Sequence, residues 1–134
     1  MKFQLVSIGF LCLVISHGLF AEEEQVKKTY YYDLDPNIIT NYQRDPKRRL
    51  GFITVDVQFQ VTGHDRYTLL ALHKALIQNY VIDVLNSQDE AIVKDIEKRD
   101  ELRELIKEKL KVVFKEETGK EVIDEVWFTK YMYR

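Results

Sequence analysis

From residue 53 to residue 61 the chain alternates without a fault. Ile53, Val55, Val57, Phe59 and Val61 are apolar, and Thr54, Asp56, Gln58 and Gln60 between them are polar. Successive side chains of an extended chain point to opposite sides, so this period of two predicts a β-strand with one buried face, closed by Gly63. From Asp65, placed as an N-cap, the period changes. Leu69, Leu72, Leu76 and Tyr80 recur at helical spacing, and Ile77, Val81 and Val84 widen the stripe, predicting an amphipathic helix to about Asn86. Ser87, with Glu90 three residues on, reads as the capping box of a short helix carrying Ile92, Val93 and Ile96. Its stripe is lost over residues 97–100, where a break or kink is expected. A charged helix follows, with Leu102, Leu105, Ile106, Leu110 and Val113 as its apolar side. On its solvent side Asp100 precedes Arg103, Glu104 precedes Lys107 and Glu108 precedes Lys111 by three positions, the spacing at which charges meet on a helix surface. Gly119 supplies the left-handed residue that ends it.

The flanking segments are strand-like. Residues 29–42 are rich in tyrosine and β-branched side chains but contain Pro36, which has no N–H to give to a ladder. That makes an edge strand, or one broken at the proline. "RDPKRR" at residues 44–49 is a turn. The last segment, "EVIDEVWFTKYMYR", has the composition of a strand. Strict alternation puts Val126, Phe128 and Met132 on one face and Trp127, Thr129, Tyr131 and Tyr133 on the other. The order is strand, strand, helix, helix, helix, strand. Strands and helices are segregated rather than alternating, which predicts an α+β fold.

Composition changes the picture at one end. "MKFQLVSIGFLCLVISHGLFA" carries one charge, Lys2, and is followed by Glu22, Glu23 and Glu24. A basic start, an apolar run and Ala21 before a polar stretch read as a signal peptide over residues 1–21; residues 3–21 would also just span a bilayer as an anchor. Either way the positive end stays inside and the remainder is exported. Residues 22–29 are a short charged lead-in and residues 30–134 the domain. The sole cysteine, Cys12, lies in the leader, so the domain rests on core packing without disulfides. A formal net charge of −2 excludes nucleic-acid binding by bulk charge.

Candidate chemistry is sparse. There is no glycine-rich phosphate loop, no H-E-x-x-H and no G-x-S-x-G. His73 borders the apolar stripe as a packing histidine, and His64, beside Gly63 and Asp65, reads as a loop residue. The two are a weak metal pair. No catalytic, cofactor-binding or metal residue is assigned. Asp33 and Asp35 share one side of an extended segment, which suits a calcium or sugar site or, more simply, an edge kept from aggregating by its acids. Arg44, Lys47, Arg48 and Arg49 form a solvated turn, with lipid headgroups or an acidic partner as the functional alternative. Aromatic residues crowd the first and last strands. If those strands are neighbours, one face packs on the helices and the other is contact surface. Tyr30, Tyr32, Trp127, Tyr131 and Tyr133 are the candidates for partner binding or self-association, because exposed tyrosine and tryptophan favour interfaces.

Several pieces, in order, resemble the FliL family of flagellar basal body-associated proteins. "YYDLDPNIITNY" is similar to the family's opening segment, "GFITVDVQFQV" to its long strand, and "LHKALIQNYVIDVLNSQDEAIV" to its leucine-rich helix. "ELRELIKEKLKVVF" is similar to the charged helix and "VIDEVWFTKYMYR" to the terminal strand. The resemblance implies a stomatin-like (SPFH) periplasmic domain, membrane-proximal at the flagellar basal body, with no enzymatic activity and no cofactor. Such domains form rings around the stator units and support their recruitment or activity in motility and swarming, so the implied partners are stator proteins and other FliL-type subunits. Typical members carry a basic cytoplasmic tail and a longer linker; here only Lys2 precedes the apolar run, which suggests a short paralogue with a signal peptide. The alternative reading is a soluble periplasmic module for a small ligand or glycan, using Asp33, Asp35 and the tyrosines.

Overall fold

The long alternating strand is the spine of the sheet. In the computed structural model, which describes residues 27–44 and 49–134, it is β3, Leu50–Thr62. The leader read at residues 1–21, and Lys47 and Arg48 of the basic turn, lie outside the described residues. β1 (Thr29–Asp33) pairs antiparallel with the second half of β3, Tyr32 opposite Phe59. β2 (Ile38–Gln43) pairs with the first half, Ile38 opposite Val55. The last strand, β4 (Glu125–Tyr133), runs antiparallel along most of β3. Gln58 has partners in both β1 and β4, and Thr54 in both β2 and β4. A strand has two edges, so β1 and β2 share one of them and β4 takes the other. The tyrosine-rich segment is therefore one edge strand broken around Pro36, where the missing N–H interrupts the ladder. The first and last strands are not neighbours: β3 separates them.

The helices are α1 (His64–Leu72), α2 (Lys74–Asn86), α3 (Glu90–Lys94) and α4 (Lys98–Thr118). Ile53, Val55, Val57, Phe59 and Val61 of β3 are buried with Leu70, Ile77, Val81, Leu85, Ile106, Leu110 and Phe114 in one apolar cluster. Burial of such side chains from water contributes about 1.5–3 kcal/mol each, the main force holding helices to sheet. The opposite face of the sheet receives none of the described helices. The architecture is α+β, an antiparallel sheet with helices on one side.

Several boundaries differ from the pattern's prediction. The helix expected from Asp65 to Asn86 is two helices, broken at His73, and Gly63 rather than Asp65 stands at its N-cap. The His73 N–H is shared between the Leu69 and Leu70 carbonyls at 3.1 and 3.2 Å, a tightened turn that re-aims α2. The core face is consequently Leu70, Ile77, Val81, Val84 and Leu85, while Leu72 is exposed and Leu69, Leu76 and Tyr80 lie at its border. Ser87 ends α2 instead of capping α3: its Oγ donates to the Val84 carbonyl at 2.8 Å, and Asp89 takes the N-cap position. The break before α4 comes at residues 95–97, slightly earlier than the fading stripe suggested, and leaves Ile96 exposed. On α4 Leu105 is exposed, and Phe114 joins Leu102, Ile106, Leu110 and Val113 in the core. The Asp100–Arg103 and Glu104–Lys107 pairs close at 2.9 Å each.

Gly119 ends α4 at φ 75°, where its N–H bonds the Lys115 carbonyl at 3.0 Å. A Cβ there would meet nothing within 4 Å, so conformation alone is at stake. Gly119→Ala is expected to cost about 1 kcal/mol, read as a lowered urea midpoint with unchanged slope. Asn, which tolerates the left-handed region better, should cost less. Equal midpoints for glycine and alanine would show that the turn relaxes.

Candidate interaction surface

The register of β4 decides which aromatic residues face outward. Asp56 lies opposite Lys130 and Val57 opposite Phe128, so Thr129 is an extra residue, a β-bulge. The bulge reverses the alternation that follows it. Cross-strand partners share a face, so Phe128, Tyr131 and Tyr133, opposite Val57, Val55 and Ile53, all belong to the helix side. Trp127 and Met132, opposite Gln58 and Thr54, belong to the outer side. The predicted grouping of Met132 with Phe128, and of Trp127 with Tyr131 and Tyr133, is thus corrected.

Tyr30 and Tyr32 pair with Val61 and Phe59, also on the helix side, and are half-buried. Their ring centroids lie 5.8 and 5.6 Å from that of Tyr67, and Tyr30 meets His64 at 5.7 Å, edge to face. Burial, with Tyr67 and Asp35 nearby, raises the Tyr32 phenol above its ordinary range. Tyr131 donates its hydroxyl hydrogen bond to the Val93 carbonyl at 2.8 Å and thereby ties β4 to α3. Three of the five candidates are therefore engaged in internal packing. Trp127 (42% exposed) and Tyr133 (40%) remain most open to a partner.

Burial pushes the Tyr131 phenol up to about 12 from 10.0. The folded chain keeps this proton after the unfolded chain has released it. Stability from this group is complete below the unfolded value and is lost as pH rises through the folded one. Urea midpoints should fall between about pH 10 and 12, and more shallowly in Tyr131→Phe. Parallel curves would mean that the hydroxyl is solvated in the folded protein.

The pattern missed a more prominent feature. Ile39 (64% exposed), Leu50, Phe52 (56%) and Met132 project from the outer face at one end of the sheet. Phe52 is bracketed by Asn41 and by Arg134, with which it exchanges backbone hydrogen bonds of 3.2 and 2.9 Å. Thr54 lies between Ile39 and Met132. Ile39, Phe52, Thr54, Met132, Tyr133 and Arg134 line a groove of about 480 Å³. The sequence carries a signal for it, because Leu50 and Phe52 have the outward parity of Thr54, Asp56 and Gln58.

The middle of that face is acidic. Asp33, Asp35 and Asp56 surround a depression of about 370 Å³. Asp33 Oδ1 accepts a hydrogen bond from Gln58 Nε2 at 2.8 Å, while the buried Asp56 Oδ1 accepts none among the described residues. Among the described residues no three histidine, cysteine or carboxylate side chains are placed to hold a metal ion. His64 begins α1 rather than lying in a loop, stacked near Tyr67 at 6.2 Å, and His73 meets the Phe114 ring edge to face at 5.5 Å. Arg44 of the basic turn pairs with Glu90 at 3.6 Å.

The family model described as flagellar basal body-associated protein FliL matches residues 31–133, from within β1 to the last residue of β4. The chain belongs to the FliL family. None of the curated proteins compared with it matches. As a FliL protein it is a flagellar basal body-associated accessory protein, of a family not known for enzymatic activity. The FliL match takes in all four helices and nearly all of the sheet, and with them Ile39, Phe52, Thr54, Met132 and Tyr133 of the apolar groove. No helix among the described residues is long and apolar enough to cross a membrane.

Proposed function

We propose that this FliL-family protein acts in the periplasm, assembling beside or around the stator units of the flagellar motor and supporting their recruitment or activity in motility and swarming. The observation that carries this reading is the uncovered outer sheet face: Ile39, Phe52 and Met132 form a contiguous exposed apolar groove within the segment matched by the FliL family. Apolar patches rimmed by polar residues mark protein-binding surfaces. The apolar leader and the α+β order support a periplasmic, stomatin-like domain whose copies, or stator subunits, meet on this face, with Trp127 and Tyr133 beside it.

The mechanism is differential binding. A collar that holds the stator's periplasmic part more tightly in its channel-open state raises the population of that state. Reversing a 1:99 equilibrium takes about 5.5 kcal/mol of preference, which a ring spreads over several weak contacts. The test is a periplasm-compatible fluorescent fusion imaged with the stator genes present and deleted. Foci at the flagellar base that fade without stators are expected; diffuse signal in both strains overturns the proposal.

A further inference from the structure

The first turns of α4 set two arginines over the aromatic residues of β4. The guanidinium carbon of Arg99 lies 4.2 Å from the Tyr131 ring centroid, and that of Arg103 lies 5.0 Å from the Trp127 ring centroid. The two differ in what their N–H groups meet. Arg103 is engaged on every side, with Asp100 at 2.9 Å, Glu104 at 3.0 Å, Glu125 at 3.1 Å and the Val126 carbonyl at 3.1 Å. Arg99 donates to no acceptor among the described residues, and its Nε is buried. A guanidinium held against a ring with no acceptor on its N–H groups is a positioned donor for a carboxylate.

A groove of about 280 Å³ opens beside it, lined by Ile96, Arg99, Asp100, Arg103, Trp127 and Phe128. Ile96 is 74% exposed, between α3 and α4, and Trp127, at the edge of the sheet on β4, lines the groove with it. The volume falls below the roughly 300–1,000 Å³ typical of small-molecule sites. It suits one side chain and its neighbour.

We propose that this groove binds an extended acidic segment of a partner protein, a carboxylate on the free edge of Arg99 and an adjoining bulky apolar side chain between Ile96 and Trp127. Charge complementarity selects the occupant. One unpaired cation beside apolar surface suits a single carboxylate, whereas Asp100 and Glu104 on the same helix repel a polyanion such as nucleic acid. Arg103 already caps the Val126 carbonyl, so side chains rather than an added strand hold the segment. The inference stands apart from the motor assignment, since it rests on the groove alone.

Trp127 is the only tryptophan in the chain, so its emission reports on the groove directly. The full chain would be titrated with short capped peptides carrying a Glu-Leu or Asp-Phe pair among alanines, and with matched Gln-Leu, Asn-Phe and Glu-Ala peptides. A saturable emission shift is expected with the acidic pairs. It should weaken at least about tenfold for the amide peptides and in Arg99→Gln, the loss of one charge-assisted hydrogen bond. Ile96→Ser, at an exposed position that leaves the fold alone, should weaken binding severalfold. The proposal is overturned if no acidic peptide shifts Trp127, if Gln-Leu binds as well as Glu-Leu, or if N-acetylglutamate amide alone matches the peptides. A flat titration says nothing against basal-body foci, and diffuse cellular signal says nothing against peptide binding, so the two failures are distinguishable.

Discussion

Alanine at Gly51 is expected to destabilise the protein by about 3 kcal/mol or more, among the largest effects of any single methyl group. Gly51 lies opposite Tyr42 in the β2–β3 ladder, and the Tyr42 ring is laid directly over it. A Cβ at Gly51 would overlap the Cζ, Cε1 and Cε2 carbons of that ring. The ring has nowhere to go: Tyr42 is fully buried, and its hydroxyl donates to the Arg134 carbonyl at 2.8 Å. The methyl group must therefore prise β2 from β3 or expel the tyrosine from the core. Against a total stability of about 5–15 kcal/mol, either is a large fraction. Urea unfolding of Gly51→Ala, Tyr42→Leu and the double variant measures it, with a coupling energy above about 1 kcal/mol expected because the smaller side chain makes room. A wild-type midpoint for Gly51→Ala would show that the ring is not seated there.

Two phenylalanines on β3 provide the second large effect, because they differ only in the face they occupy. Phe59 is fully buried, and Phe52 projects from the outer face. Phe59→Ala removes core packing and leaves a cavity, at an expected cost of about 3–5 kcal/mol. Phe52→Glu should change stability by no more than about 1 kcal/mol, the range of β-propensity at a solvated position. Yet it places a charge in the apolar groove beside Ile39 and Met132, where a partner would have to bury it. Motility and basal-body foci should be lost in Phe52→Glu while its urea curve stays near wild type. Full motility in a folded Phe52→Glu protein would remove the outer face from the account. A wild-type midpoint for Phe59→Ala would refute the assigned register of β3.

Much of this molecule could be read along the chain. The strand through Ile53 and Val61, the end of α4 at Gly119 and the Asp100–Arg103 and Glu104–Lys107 pairs are local, set by period and spacing within a few residues. The FliL resemblance was readable for the same reason, since its pieces are short patterns in a fixed order. The candidate site was read only in part. Trp127 and Tyr133 are exposed, whereas Tyr30, Tyr32 and Tyr131 pack against Tyr67, Arg99 and the core. Composition marks an aromatic as available for contact and says nothing of what already covers it.

The chain by itself thus determined which segments are strands and helices, that they sort into an α+β order, and the family to which they belong. The tertiary structure alone decided the rest. The bulge at Thr129 shifts the register of β4 against β3, and it moves Tyr131 and Tyr133 to the helix side of the sheet without altering any local propensity. The break at His73 gives α1 and α2 separate buried faces, Leu70 in α1 and Ile77, Val81, Val84 and Leu85 in α2, in place of one continuous stripe through Leu69, Leu72 and Leu76. Likewise Arg99 and Trp127 share a groove only because α4 crosses beside β4. Periodicity fixes how side chains point relative to their own backbone. Which of those directions becomes inside depends on the partner surface, and that surface exists only once the chain has folded back on itself.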